Sequence, residues 1–245
     1  MRRVDLGGVA IDAGAFDELV RRLAADVDAG TPHHHVSMNA AKWVALLHDE
    51  SLRLAVGEAT SVGADGAPVS RAAGTPRVPG IELAEALLRL APGRGWRVAL
   101  LGARPEVVAR VEALLRHRGV DVVLARDGMV REDEERAVAE AVAASGAQLV
   151  LLALGTPKAE LFARRWGPTM GAALAMGVGG SFDVWSGHAR RAPGWALAWG
   201  LEGAWRWLGA PRSRFGRAVL GPALFLLHQA RGTRIPVTAG RPSPR

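Results

Sequence analysis

Residues 148–158 read QLVLLALGTPK, and the predicted fold depends on this segment more than on any other. The uninterrupted apolar run 149–154 forms the most hydrophobic predicted strand in the chain, and Gly155 follows at its end. On both sides of it, other short apolar runs alternate with helical patterns. This alternation predicts an α/β fold with a largely parallel sheet flanked by helices.

The remaining elements follow the same alternation along the chain. Pro105 starts one predicted helix, and the acidic residues 132–135 favour the N-terminus of another through the helix dipole. Helices are predicted over 15–28, 42–48, 80–90, 105–118 and from 132 to near 146. The predicted strands are Val4–Ile11, His35–Met38, Thr60–Gly63, Trp96–Leu101, Val120–Ala125, Gln148–Leu154 and Ala172–Met176.

Length and composition favour a single globular body. The 245 residues are 49% hydrophobic, which is enough to bury a core without covalent staples. There are no cysteines, so disulfides, thiolate metal sites and a cysteine nucleophile are excluded. No signal-peptide pattern follows Met1, and no run of about 18 apolar residues occurs. We therefore expect a cytoplasmic protein that does not cross a membrane.

The positive charge is concentrated at the C-terminal end. The formal net charge is +7, but no acidic residue follows Glu202 and eight arginines do, which leaves −1 for residues 1–202. We therefore predict an α/β body over residues 1–190 and a basic, Trp- and Arg-rich appendage over 191–245. Such an appendage suits an anionic lipid, a lipid-linked phosphate or a nucleotide phosphate, although a solvated basic tail has the same composition.

Glycines and polar residues follow six of the predicted strands. In an open parallel sheet, ligands bind beyond the carboxyl ends of the strands, where loops and helix N-termini converge. The six loops together therefore predict a ligand cleft at that edge of the sheet. They contain Ser37 and Asn39, Asp65-Gly66, Gly102, Asp127-Gly128, Gly155 to Lys158, and Gly179-Gly180.

Several common functional motifs are absent. Neither lysine lies in the G-x-x-x-x-G-K pattern of a P-loop, residues 177–182 do not match G-x-G-x-x-G, and residues 180–183 do not match G-x-S-x-G. The histidines 33–35 precede a predicted strand, so at most two could share a metal, and a polar turn explains them better. Asp26 and Asp28 match the D-x-D motif that binds a metal-nucleotide complex in other transferases. They fall at the end of a predicted helix, however, which indicates a solvent-exposed face.

Asp65 is the candidate catalytic carboxylate. It follows a short predicted strand, and Gly66 after it allows the chain to turn and a substrate to approach closely. Alone, an Asp-Gly pair is more typical of a turn. The assignment therefore depends on the other loops that end at the same edge and on the wider set of motifs along the chain.

Short motifs lie in a characteristic order between about Val4 and Arg217. They are Ser37-Met38-Asn39, Ala64-Asp65-Gly66, Arg77-Val78-Pro79-Gly80, Leu101-Gly102, Asp127-Gly128, residues 154–160 and 177–183, Ser186-Gly187, Arg191-Ala192-Pro193, Gly200-Leu201-Glu202, Arg206 and Pro211-Arg212. No single motif is specific. In this order they resemble the WecG/TagA/CpsF family, the family 26 glycosyltransferases of bacterial surface-polymer synthesis.

The resemblance implies a Rossmann-like body with a basic helical appendage and the activity of a UDP-sugar-dependent hexosyltransferase. It implies inverting transfer of N-acetylmannosamine, its uronic acid or a hexose from a UDP-sugar to a polyprenyl-diphosphate-linked saccharide. The pathway would be exopolysaccharide or teichoic-acid-type cell-wall synthesis, without a metal or other cofactor. The protein would then be peripheral on the inner face of the cell membrane, which it contacts through the appendage.

Site residues follow from the resemblance by position. Asp65 would be the general base, and Ser37 and Asn39 would contact the donor. The other implied substrate-binding residues are Arg77, Gly102, Gly155, Lys158, Glu160, Gly179, Gly180, Arg191, Arg206, Arg212 and Arg217. The chain departs from the usual family residues at Ser37 (threonine), Ala159 (glutamine), Gly203 (tryptophan) and Ala210 (glutamate).

Two other functions stay open from the sequence. A nucleotide-sugar-binding protein without turnover would keep the same cleft. A basic nucleic-acid-binding protein would explain the charge, and it predicts steep salt dependence of binding. However, the chain has no tyrosine, and the tryptophans of the appendage lie among apolar residues, which suits a membrane interface better. We therefore expect no nucleic-acid partner, and the sequence leaves homo-oligomerisation open.

Overall fold

The computed structural model describes residues 1–190 and 220–236 of the chain. The strands are β1 (Arg2–Leu6), β2 (Val9–Ala13), β3 (His33–Met38), β4 (Ser61–Ala64), β5 (Arg97–Gly102), β6 (Asp121–Arg126), β7 (Leu149–Ala153) and β8 (Leu174–Gly177). Among them, β3 to β8 form one six-stranded sheet in the order β4-β3-β8-β7-β5-β6. All its neighbouring pairs are parallel. The predicted α/β class with a parallel sheet is therefore confirmed.

Helices connect successive strands of the sheet. The predicted helices are confirmed with shifted ends, whereas α3, α4, α8 and α9 were not predicted. The helices are α1 (Phe16–Ala29), α2 (Ala40–Ala45), α3 (Glu50–Gly57), α4 (Ala67–Ala73), α5 (Gly80–Arg94), α6 (Pro105–His117), α7 (Glu135–Ser145) after a 3₁₀ turn (Glu132–Glu134), α8 (Lys158–Met170), α9 (Ser181–Trp185) and α10 (Gly221–Ala230).

The surroundings of β7 explain why the predicted strand over 149–154 is apolar at every position. Leu149 and Leu151 pack in one core with α1, α5 and α6, whereas Val150 and Leu152 pack in a second core with α7 and α8. All four side chains are completely buried. Alternate side chains of a strand point to opposite faces, so a strand covered by helices on both faces is apolar at every position.

The prediction of one strand over Val4–Ile11 is wrong. Strands β1 and β2 instead form an antiparallel hairpin whose turn is Gly7-Gly8, with φ values of 59° and 93°. Two-residue hairpin turns require such positive angles, which glycine adopts without strain. The hairpin is attached to the main sheet through Asp12, whose Oδ2 accepts a hydrogen bond from the Val62 N–H of β4 at 2.8 Å.

The strand order brings distant parts of the chain to one edge. Strand β3 pairs with β4 on one side and with β8 on the other. The chain leaves β3 towards α3, which packs on α8, and leaves β8 towards α9, which belongs to the core on the other face. A crevice forms where neighbouring strands send their connections to opposite faces. Here this switch point lies between β3 and β8.

The C-terminal described segment packs on the N-terminal part of the body. Phe225 of α10 meets Trp43 of α2 edge to face at 5.3 Å, and the Ile235 N–H donates to the Gly7 carbonyl at 2.7 Å. Residues 191–219 and 237–245, most of the predicted appendage, lie outside the described residues. In the part of the chain that is described, no helix has both the length and the apolar character needed to cross a membrane.

Candidate active site

An open cleft lies at the carboxyl ends of β4, β3, β8 and β7. About 670 Å³ of empty space lies within it, counting the open solvent at its mouth. Four of the six loops predicted from the sequence line it, whereas the loops after β5 and β6 do not. The lining residues are Ser37, Asn39, Lys42, Asp65, Pro79, Gly80, Ile81, Gly155, Thr156, Ala159, Glu160 and residues 177–181.

Asp65 lines the cleft directly after β4. Its backbone N–H donates to the Met38 carbonyl of β3 at 2.8 Å, which holds this loop against the neighbouring strand. Gly66 has a φ of 91° and begins the turn into α4. Gly80 packs so closely that a Cβ atom there would lie 2.6 Å from Ser37 Oγ and 4.0 Å from Asp65 Oδ2. The Asp65 carboxylate, the Ser37 hydroxyl and the start of α5 therefore meet in one corner of the cleft.

A buried ion pair between Lys42 and Glu160 forms part of the cleft wall. The Lys42 ammonium lies 2.6 Å from Glu160 Oε1 and donates to the Ser37 carbonyl at 2.8 Å. Only 7% and 3% of the two side chains are exposed. The second carboxylate oxygen, Glu160 Oε2, has no hydrogen-bond partner among the described residues. Because a buried acceptor without a partner is costly, this oxygen is suited to an N–H or O–H group of a ligand.

Lys42 was missed as a site residue. It is one of only two lysines among 31 basic residues, and that rarity was the available signal. Asn39 caps the helix that carries it, because Asn39 Oδ1 accepts the Lys42 backbone N–H at 2.9 Å. The cap fixes the first turn of α2 and so positions both residues at the cleft.

Residues at the start of α8 and in the loop after β8 line the cleft. Gly155 and Thr156 precede α8, and no side chain caps its first turn. Gly179 and Gly180 are exposed and lead into α9. An uncapped helix N-terminus carries partial positive charge, and glycines allow a ligand to approach the backbone closely. This part of the cleft therefore favours an anionic ligand.

The structure brings half of the predicted site residues together. Arg77, Gly102 and Lys158 are described but do not line the cleft, and their roles in substrate binding stay predictions. Arg191, Arg206, Arg212 and Arg217 lie outside the described residues. Those that line the cleft are Ser37, Asn39, Asp65, Gly155, Glu160, Gly179 and Gly180.

Gly102 and Lys158 have other surroundings. A Cβ atom at Gly102 would lie 2.4 Å from the backbone carbonyl carbon of Ala153 in β7, so close packing of the strands requires glycine there. The Lys158 ammonium donates to the Val130 carbonyl at 2.6 Å, outside the cleft. These contacts correct the expectation that all six loops border one cleft.

The three consecutive histidines belong to β3 rather than to a polar turn. His33 Nε2 and His35 Nδ1 lie 2.7 and 2.8 Å from the same Ser61 hydroxyl, whereas His34 points to the opposite side of the strand. Burial lowers the pKa of His33 and His35, and it lowers the pKa of His34 to about 4. All three rings are therefore neutral near pH 7. Within residues 1–190 and 220–236, no group of three metal-ligating side chains is assembled.

The two aspartates of the D-x-D spelling are not simply a solvated face. Asp26 Oδ2 lies 2.7 Å from His33 Nδ1. Asp28 accepts a hydrogen bond from Trp96 Nε1 at 2.8 Å and pairs with Arg94. Both carboxylates attach the end of α1 to other elements of the body.

The fold and the cleft define a class of protein. It is a Rossmann-like α/β protein whose ligand cleft, at the switch point of the sheet, combines a carboxylate with backbone groups suited to an anion. The sequence model of the glycosyl transferase WecG/TagA/CpsF family matches residues 4–236. The chain belongs to this family, and the protein is a glycosyltransferase. The family resemblance of the ordered motifs is thus confirmed.

Proposed function

We propose that the protein is an inverting hexosyltransferase that uses a UDP-sugar and a polyprenyl-diphosphate-linked saccharide. The sugar moved is N-acetylmannosamine, its uronic acid or a hexose. The observation that carries the proposal is the position of Asp65, which shares one cleft with the Ser37 hydroxyl and the uncapped N-terminus of α8. A base and an anion-binding region in the same cleft are the two parts that this transfer needs.

Asp65 is proposed to take the proton of the acceptor hydroxyl. A hydroxyl has a high pKa, so a carboxylate that accepts its proton while the new bond forms contributes roughly 10² to 10⁴ in rate. The acceptor oxygen attacks the anomeric carbon from the face opposite the diphosphate, and the bond between that carbon and the phosphate oxygen breaks. The proton remains on Asp65 and UDP departs. Asp65 is partly exposed, so a hydroxyl can reach it.

The departing UDP gathers negative charge on its diphosphate. The N–H groups at the start of α8 and the loop that contains Gly179 and Gly180 are proposed to stabilise this charge. Four arginines of the predicted appendage would add positive charge, and no metal ion is part of the proposal. They are Arg191, Arg206, Arg212 and Arg217.

The ion pair of Lys42 and Glu160 is proposed to orient the donor. Glu160 Oε2 would accept a hydrogen bond from a sugar hydroxyl or from the uracil N–H, since it has no partner in the described part of the chain. Lys42 compensates the charge of Glu160 at 2.6 Å. The pair has no net charge, so the Glu160 carboxylate can line the cleft without repelling an anionic substrate.

We further propose that the protein works at the inner face of the cell membrane. The acceptor would be lipid-linked, and the described part of the basic appendage presents apolar surface. Cationic segments with exposed apolar side chains bind anionic membrane surfaces. The exposed apolar residues are Leu220, Leu224, Leu226 and Leu227.

The test is UDP release from a panel of UDP-sugars with a polyprenyl-diphosphate-linked acceptor. Asp65→Asn should lower kcat at least about 100-fold, because the positioned base is lost, while UDP affinity in calorimetry changes less than about threefold. Asp127→Asn is the matched control. It changes another Asp-Gly pair at a strand end, whose Oδ1 accepts the Met129 N–H at 2.8 Å outside the cleft.

Two results would contradict the proposal in different ways. Undiminished turnover in Asp65→Asn would place the base on another residue. UDP-sugar binding by the unaltered protein without UDP release from any donor would instead indicate a nucleotide-sugar-binding protein without turnover.

A further inference from the structure

A line of hydrogen-bonding groups crosses the interior from α1 to the cleft. It joins Asp26 Oδ2 to His33 Nδ1 (2.7 Å), His33 Nε2 to Ser61 Oγ (2.7 Å), Ser61 Oγ to His35 Nδ1 (2.8 Å) and His35 Nε2 to Ser37 Oγ (3.5 Å). Ser61 and His35 are completely buried, whereas the Asp26 side chain is 25% exposed. We name these five residues the buried polar chain. Its inner end, Ser37, lines the cleft.

The buried polar chain has one direction when both imidazoles are neutral. The Asp26 carboxylate can only accept, so His33 carries its proton on Nδ1. His33 Nε2 then accepts the proton of the Ser61 hydroxyl, and Ser61 Oγ accepts the Nδ1–H of His35. His35 Nε2 is left as an acceptor, and the proton that faces it belongs to Ser37. A carboxylate four steps away therefore decides where the Ser37 proton points.

Burial keeps the two imidazoles neutral. For His33, the loss of solvent lowers the pKa and outweighs the opposing attraction of Asp26. For His35, the loss of solvent is again the largest cause of a lowered pKa. A proton taken up by His33 on Nε2 would reverse the donor and acceptor of each bond from there to Ser37, whereas His33 Nδ1–H would still donate to Asp26. The other charged or titratable groups that face the two rings are Asp12, Arg22, His34 and Lys42.

We propose that the buried polar chain makes Ser37 a hydrogen-bond acceptor towards the substrate. The Ser37 proton is committed to His35, so the remaining lone pairs of Ser37 Oγ can only accept an N–H or O–H from a ligand. The 3.5 Å step is the longest in the chain, and such bonds often shorten when the ligand binds. This inference rests on the proposed function, in which the bound group is a hydroxyl of the donor sugar.

The inference assigns roles to residues that do not touch the substrate. Asp26, His33, Ser61 and His35 are positioning residues that act through Ser37. They also set a preference for the donor, because Ser37 Oγ can accept a hydrogen bond from a sugar hydroxyl at this position. A donor analogue with fluorine in place of that hydroxyl has no proton to donate, so the fluorine lone pairs would face those of Ser37 Oγ. It should therefore bind more weakly.

The first test reads the protonation of the rings in the full-length protein. Histidine labelled with ¹⁵N distinguishes the two neutral tautomers by NMR, and His33→Gln and His35→Gln assign the signals. Near neutral pH, both His33 and His35 should carry the proton on Nδ1. An Nε2-protonated His35 would overturn the proposal, whatever the activity of the protein.

The second test breaks the chain and measures affinity for UDP-N-acetylmannosamine by calorimetry. In Asp26→Asn the amide can donate as well as accept, so His33 should lose its single tautomer. Affinity should fall about tenfold, the equivalent of about 1.4 kcal/mol, and in turnover the loss should appear in KM rather than kcat. Ser61→Ala cuts the chain at its middle without a change in charge, and it should show the same loss.

Asp28→Asn is the matched control, since it makes the same change two residues away on the same helix. The Asp28 carboxylate bonds to Trp96 and Arg94, so affinity and tautomers should be unchanged. Equal affinity in Asp26→Asn, Ser61→Ala and Asp28→Asn would refute the proposal. The tautomer and affinity measurements do not require sugar transfer, so a failed reaction would disprove the proposed function while the role of Ser37 is still decided.

Discussion

The two halves of the sheet end in similar loops but differ in what surrounds them. Asp65-Gly66 follows β4 in the half that borders the cleft, and Asp127-Gly128 follows β6 in the other half. Asp65 lines the cleft beside Ser37, whereas Asp127 accepts the N–H of Met129 at 2.8 Å, as in a local turn. The same pair of residues after a strand therefore lines a cleft or closes a turn, depending on which strands lie beside it.

The glycines of the two halves differ in the same way. A Cβ atom on Gly128 would lie 3.2 Å from Gly102 Cα, and one on Gly102 would overlap Ala153. Among the described residues, no atom beyond the two chain neighbours lies within 4 Å of a Cβ built on Gly155 or Gly179. Close packing explains Gly102 and Gly128 at the far edge, whereas Gly155 and Gly179 at the cleft have positive φ angles and leave open space for a ligand.

The largest expected effect compares the two lysines, one in the cleft and one outside it. Lys42→Met leaves Glu160 as a buried charge without compensation and should cost about 3–5 kcal/mol of unfolding free energy. Lys158→Met removes a partly buried hydrogen bond to Val130 and should cost about 1 kcal/mol. Urea unfolding measures both. The double variant Lys42→Met/Glu160→Leu should recover much of the loss, and equal costs for the two single variants would contradict the role given to the ion pair.

A smaller effect separates the two kinds of glycine. Gly102→Ala forces a Cβ against β7 at a φ of 123° and should destabilise the fold by about 3 kcal/mol. Gly155→Ala has only the strain of a φ of 74° and should cost about 1 kcal/mol. Thermal or urea unfolding gives the ranking. If Gly155→Ala proved the more costly, the cleft loop would be packed rather than open.

Acid should lower the stability of the protein, because strand β3 in the cleft half contains three histidines with lowered pKa values. Each binds a proton more readily in the unfolded chain, so stability is full above about pH 6.5 and falls as the pH drops towards the lowered native pKa. Burial lowers the pKa of His35 well below its ordinary value, so this residue should contribute to the loss of stability between about pH 6.5 and 5. Urea midpoints at several pH values measure it. His35→Gln should flatten this dependence, and the same substitution at the exposed His117 should not.

Much of the fold was predictable because its signals are local. Apolar runs located every strand of the main sheet, and Pro105 and the acidic residues 132–135 marked two helix starts. Helices α3, α4 and α9 were missed, since helices of 8, 7 and 5 residues depend on packing more than on their own sequence. Helix α8 has 13 residues, but Gly167 and Pro168 interrupt its helical pattern. The hairpin at Gly7-Gly8 was missed because two short strands and a glycine turn were read as one strand.

The amino-acid sequence alone was enough to predict the fold class, the place of Asp65 at the end of a strand and the family to which the chain belongs. These depend on residue order, which the chain displays directly. The tertiary structure decided which four loops meet, that Lys42 pairs with Glu160, and that Asp26 connects to Ser37 through two histidines and Ser61. These contacts depend on β8 lying between β3 and β7, a pairing of distant segments that no local pattern records.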